Sequence, residues 1–222
     1  MPEKIDREEG AKGGGSSPSV SGVKGAFYLL LKVLIAALVA PLIYASTVAF
    51  GREVATLSGS VRLALAQGVL IYVFLKFFVY DFAHVYKFGQ GLVTGLFQFL
   101  KPLVNVAPYL VPVYTMIALI VFAVLNATGK MGEWHGIFYA LIAGTFAMHL
   151  ILTAQDLYTK DTTPGKPTYF FGMGLVYIFD VFVLALIMNV TLPGFDFVRF
   201  FKILGGTCLG IYKVVLTQLF FS

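Results

Sequence analysis

Five stretches of this chain, roughly 26–50, 61–80, 103–126, 136–157 and 169–192, are long and apolar enough to cross a bilayer. A hydrocarbon core of about 30 Å needs about 20 such residues per helix. Hydrocarbon offers no partner for a backbone N–H or C=O, so each segment has to pair its own backbone, which an α-helix does. The expected fold class is therefore an all-α, polytopic integral membrane helix bundle whose solvent is the lipid bilayer. Composition agrees, with 59% apolar and 12% charged residues among 222 and a mean hydropathy of +0.86. Soluble domains carry about 25% charged residues.

The remaining segments are sorted by polarity. Residues 1–25 carry Glu3, Lys4, Asp6, Arg7, Glu8, Glu9 and Lys12 ahead of a Gly/Ser/Pro run from Gly13 to Pro18, which predicts a disordered tail. A secretory signal sets its charges directly against a short apolar core, whereas this tail is long, mixed in sign and followed by a full span, so the first span is expected to be retained. Residues 26–222 read as one transmembrane domain. Asp81 to Lys101 is too polar and glycine-rich for a span and reads as interfacial or re-entrant. Residues 195–222 have the same character and read as amphipathic or as a sixth, partial span. An inside N-terminus places eight Lys/Arg residues on the cytoplasmic side against six outside, which favours a cytoplasmic tail. The net charge of +5 is spread between apolar stretches and forms no aromatic-laced basic stripe, so no nucleic-acid partner is expected. The single cysteine, Cys208, excludes an internal disulfide.

Two segments look alike. Asp81-Phe82-Ala83-His84-Val85-Tyr86-Lys87, followed by Gly91 and Gly95, parallels Asp196-Phe197-Val198-Arg199-Phe200-Phe201-Lys202, followed by Gly206 and Gly210, at a constant offset of 115 residues. Three spans between the copies would put them on opposite membrane faces, the arrangement of inverted-repeat transporters. Chance similarity in a chain rich in Phe, Tyr and Gly is the competing account.

Ionisable groups inside spans are costly and are functional candidates by default. Lys32 and Lys76 lie near span ends, where a long side chain reaches the headgroups. Asp180 is mid-span and too short to do so; it must be protonated, paired or wet. His149 and Asp156 are seven residues apart on one helix and share a face with Thr153 and Gln155 nearby, a stripe that should point at other helices. Pro41, Pro108 and Pro112 fall inside predicted spans, and each removes a backbone hydrogen bond. The third span is thus expected to line an internal cavity, where freed carbonyls can be satisfied.

His84-Val85-Tyr86-Lys87-Phe88, the block from Asn105 to Thr115, Phe146 to Thr153 and Tyr169-Phe170-Phe171-Gly172 together resemble the bacterial site-2-protease-like (peptidase M50-like) membrane metallopeptidases. In that family the first block carries His-Glu-x-x-His, two zinc ligands one turn apart with a glutamate that activates water. Here His84 occupies the first ligand position, but Val85 and Phe88 stand where the glutamate and second histidine would be. The resemblance therefore implies a degenerate, non-proteolytic member in a bacterial inner membrane, with no catalytic residues and no resident cofactor. It would act as a binding or scaffold subunit that holds a transmembrane helix or a partner subunit near His84, Pro108, His149 and Asp180. One alternative is a small transporter or channel subunit using Asp180 and His149, with the repeat as its halves. Another is a metalloenzyme with an altered ligand set, in which His84 and His149 with Asp156 or Asp180 would hold zinc.

Overall fold

The computed structural model describes residues 20–101, 105–160 and 167–220. Among them are eight α-helices and no strand: α1 (Val20–Thr56), α2 (Gly59–Phe78), α3 (Ala83–Leu96), α4 (Ala107–Leu110), α5 (Val113–Ala127), α6 (His135–Lys160), α7 (Pro167–Thr191) and α8 (Phe197–Phe220), with a 3-10 turn over Gly132–Trp134. The predicted tail lies outside the described residues up to residue 19, and α1 is already under way at Val20.

Five segments are long and apolar enough to span a membrane: Phe27–Thr56, Gly59–Phe78, Gly132–Thr159, Phe171–Thr191 and Phe197–Gln218. The chain is thus an all-α helical bundle of multi-pass membrane character, but the set differs from expectation at two places. The segment expected to span at 103–126 is broken, because Val111 and Pro112 are extended (Val111 at φ −107°, ψ 107°) and separate the single turn α4 from α5. Proline has no N–H to donate and pushes the preceding residue out of the helical region, which makes Val111 the breaking point. Pro108 does no such damage, since it sits in the first turn of α4 where its missing N–H has no helical acceptor. What remains, α5, is 15 residues, about 22 Å at 1.5 Å per residue, and falls short of the bilayer core. The other difference is α8, expected as amphipathic or as a sixth, partial span, which is an unbroken helix with 22 residues of spanning character. Its three glycines, Gly205, Gly206 and Gly210, leave it continuous because hydrocarbon makes an unpaired backbone group costlier than a poor helix propensity.

The helix starts follow local chemistry. Ser58 Oγ accepts the Val61 N–H at 3.4 Å and opens α2. Asp81 Oδ1 accepts the Ala83 N–H at 3.1 Å ahead of α3. Asp196 Oδ1 accepts from Val198 and Arg199 at 2.8 and 3.0 Å ahead of α8. The two Asp-Phe segments thus do the same job. They do it at opposite ends of the bundle: Asp196 sits beside Glu53, next to the start of α2, and Asp81 follows the end of α2, which at 20 residues is about 30 Å long.

Packing crosses between the two parts of the chain. α1 runs parallel to α7, with Thr47 Oγ1 2.7 Å from Tyr177 Oη, and antiparallel to α8, where Arg199 meets Glu53 and Tyr212 donates to the Leu38 carbonyl. α2 runs parallel to α6, with Gly68 against Ala140 and Gly144 and Lys76 against Gln155. So α1 packs on α7 and α8, whereas α6 packs chiefly on α2 and less extensively on α5, α7 and α3. Lipid tails are as apolar as these surfaces, so close contact has to come from small residues. Gly68 is the extreme case, since a Cβ there would lie 1.9 Å from the Ala140 carbonyl oxygen.

Gly68→Ala should therefore destabilise the protein by about 1–3 kcal/mol or more, despite alanine's better helix propensity. That lowers the thermal midpoint in detergent by roughly 2–4 °C for each kcal/mol. Gly91→Ala, whose Cβ meets nothing within 4 Å, should match or slightly exceed the wild type.

Candidate functional site

The break between α4 and α5 organises the polar centre. Within α4, Ala107 O is taken by the Val111 N–H, but the Val113 N–H turns to Val111 O and not to Tyr109 O. The Tyr109 carbonyl is met at 3.1 Å by His149 Nε2 from α6. A carbonyl only accepts, so Nε2 carries the proton of this hydrogen bond. The same nitrogen lies 3.6 Å from Asp180 Oδ1 on α7, within ion-pair range but beyond hydrogen-bond distance. Asp180 is fully buried, and neither of its carboxyl oxygens has a hydrogen-bond partner. A buried carboxylate with no hydrogen bond from the protein is costly to leave charged and unmatched. The pair is balanced when it holds one shared proton, either on the Asp180 carboxyl or on His149 as imidazolium, and loss of that proton leaves a buried carboxylate unmatched.

From this pair a polar chain runs toward the C-terminal end of α6. Tyr86 on α3 stacks obliquely near the His149 ring, with centroids 6.2 Å apart, and its Oη lies 2.7 Å from Thr153 Oγ1 in a buried contact. Gln90, one turn after Tyr86, donates to Tyr86 Oη at 3.0 Å and reaches Asp156 Oδ2 at 3.5 Å. His149, Thr153 and Asp156 occupy one face of α6 because they are spaced by four and then three residues. Burial, with the Asp156 charge adding to it, pushes the Tyr86 phenol up to about 12, so it stays a neutral donor and acceptor. Beside the chain, a cavity of about 10 Å³ touches Tyr86, Gln90, Pro108, Tyr114, Thr145 and His149, close to the space one water needs. Lys76, half-buried, donates to Gln155 Oε1 at 3.1 Å.

The expected site residues divide accordingly. The structure brings His149 and Asp180 together and links Asp156 to the same chain through Gln90 and Tyr86. His84 is exposed; it precedes Tyr86 by two residues, about 200° around the helix, and so faces away from His149. No three His, Cys, Asp or Glu side chains come together at metal-ligating spacing among the described residues, so His84 and His149 do not form the core of one ligand set there. Purified protein should accordingly carry well below stoichiometric zinc by elemental analysis, with His84→Ala leaving the content unchanged.

A second polar centre, absent from the expectations, sits at the other end. Glu53 on α1 is fully buried and accepts Arg199 Nε and Nη2 at 2.6 and 2.7 Å, a two-pronged pair. Glu53 Oε2 also takes the Asp196 N–H at 3.2 Å, and Arg199 Nη2 reaches Thr56 Oγ1 at 3.1 Å. The available signal was that Glu53 is the sole carboxylate between Glu9 and Asp81. The Arg199 and Val198 N–H groups, with the Arg199 and Lys202 charges, hold the Asp196 carboxyl below its ordinary value of 3.8. A carboxyl whose folded value is depressed contributes fully above its unfolded value and loses that contribution as pH falls through the folded value. Asp196→Asn, which keeps the capping oxygen, should remove this part of the acid sensitivity below about pH 4 in a circular-dichroism titration while leaving the neutral-pH fold intact.

Comparison of the chain with protein-family models, curated proteins and solved structures gives no match. The functional reading therefore stands on the arrangement of these residues.

Proposed function

We propose that this protein is a small transporter or channel subunit in which the His149–Asp180 pair takes up and releases a proton. One observation carries the reading: a fully buried carboxyl with no hydrogen bond stands within ion-pair range of a histidine that is already tethered by the Tyr109 carbonyl. Intramembrane carboxyl and histidine groups mark proton and ion routes because an unmatched charge there is costly, so a gained proton changes which neighbouring arrangement is preferred. Tyr86, Thr153, Gln90 and Asp156 form a hydrogen-bonded chain that starts at the ring contact between Tyr86 and His149 and leads toward one end of the bundle.

The helix arrangement adds support. The Asp-Phe segments open α3 and α8 at opposite ends, and the first long helix of each part packs on the later helices of the other. Inverted-repeat transporters place their central site between such halves, with broken helices lining it. The α4–α5 break beside the Tyr109 carbonyl would be that irregular element.

The reading as a degenerate metallopeptidase-like scaffold draws less support. The space beside Pro108 and His149 is close to one water in size, which leaves no groove there for a partner helix, and His84 lies outside it.

In liposomes holding a pH-sensitive dye, the wild type should dissipate an imposed proton gradient. Asp180→Asn and His149→Gln should each slow this about tenfold or more, and Asp156→Asn should have a smaller effect. A wild-type rate equal to that of empty liposomes, or an Asp180→Asn rate equal to wild type, would overturn the proposal.

A further inference from the structure

Between the parallel pairs α1/α7 and α2/α6 lies a partly open cavity of about 510 Å³. It is separate from the His149–Asp180 centre and shares none of its polar residues. Phe50 and Val54 of α1, Leu65 and Val69 of α2, Phe146 of α6 and Leu184 of α7 give it an apolar wall. Its lining on α6 extends from Tyr139 to Ile151, about 18 Å at 1.5 Å per residue, so the space is elongated. Polar groups gather at the end next to the α1–α2 turn, where Arg62 and Thr191 stand.

Arg62 is the sole charged residue of the lining and has no side-chain partner among the described residues. Glu53, the buried carboxylate of that end, is already engaged by Arg199. An arginine keeps its charge in any surroundings and presents a planar fork that matches a carboxylate. Thr191 Oγ1 is used on its own helix, donating to Ile187 O at 2.8 Å, so its oxygen remains an acceptor. An apolar slot with one unpaired cation at its mouth is complementary to an amphiphile with an anionic head.

The space is elongated, about 18 Å along α6, a shape that takes an acyl chain laid along the helix. We infer that the cavity between the two helix pairs is a binding site for a single-chain carboxylate amphiphile of the fatty-acid class, its tail along α6 and its carboxylate on Arg62. This site stands independently of proton movement at His149 and Asp180.

Oleate binding to the full chain in nanodiscs, followed by native mass spectrometry, tests it. Oleate should bind saturably with one molecule per chain, and oleyl alcohol, equal in length but uncharged, should bind about tenfold or more weakly. Arg62→Ala should lower oleate affinity to a similar degree and Arg62→Lys should restore most of it. Ala66→Phe, which fills the slot and leaves Arg62 in place, should abolish occupancy, with thermal unfolding confirming that each variant is folded. Three results would overturn the inference. Loading that rises with bulk oleate without saturating and ignores both substitutions would mean annular lipid only. Equal binding of oleyl alcohol and oleate to the wild type would remove Arg62's role, and full displacement of oleate by equimolar phosphatidylglycerol would assign the site to a two-chain lipid.

Discussion

Hydrocarbon supplies no hydrogen-bond partner, and nearly every feature of this bundle follows from how its polar groups find one inside the protein. The Tyr109 carbonyl, next to where Val111 and Pro112 leave the helix, goes to His149. Tyr86 goes to Thr153. Tyr177 goes to Thr47 and thereby ties α7 to α1. Asp180 and the Tyr72 hydroxyl are the exceptions, buried and without a hydrogen bond, and the basic group nearest Asp180 is His149, whose Nε2 proton goes to the Tyr109 carbonyl.

The two polar centres differ in chemistry as well as position. At the α1–α2 end, Glu53 and Arg199 form a two-pronged pair of permanent charges, reinforced by the Asp196 N–H and Thr56. Arginine does not give up its proton, so this centre acts as a fixed clamp between α1 and α8. Toward the opposite end, the pairing partner is histidine, the side chain whose charge changes most readily near neutral pH.

Close packing at Gly68 joins α2 to α6 as firmly as the Glu53–Arg199 clamp joins α1 to α8. The apolar cavity lies between these units, beside the seam where α6 meets α7. Its position explains why a chain so rich in Phe and Leu still leaves a space: each pair satisfies its own packing, and the seam between pairs receives what is left over.

Several of these features were legible in the chain itself. The all-α membrane character followed from segment length and apolarity, because only a helix pairs its own backbone in lipid. The candidacy of Asp180 and His149 followed from the cost of ionisable groups inside spans, and Pro108 and Pro112 marked the third span as irregular. The sequence could not show that α5 would fall short or that α8 would run unbroken, since Phe/Gly-rich stretches at the margin of hydropathy are decided by the helices they pack against. Nor could it pair His149 with Asp180, 31 positions apart in the chain, or join Glu53 to Arg199, because periodicity reports which face of a helix is polar and never which other helix meets it. His84 and Asp156 show the same limit from the other side. Both sat in a polar stretch, but only the rotation of α3 against α6 decided that Tyr86 would face inward and His84 outward.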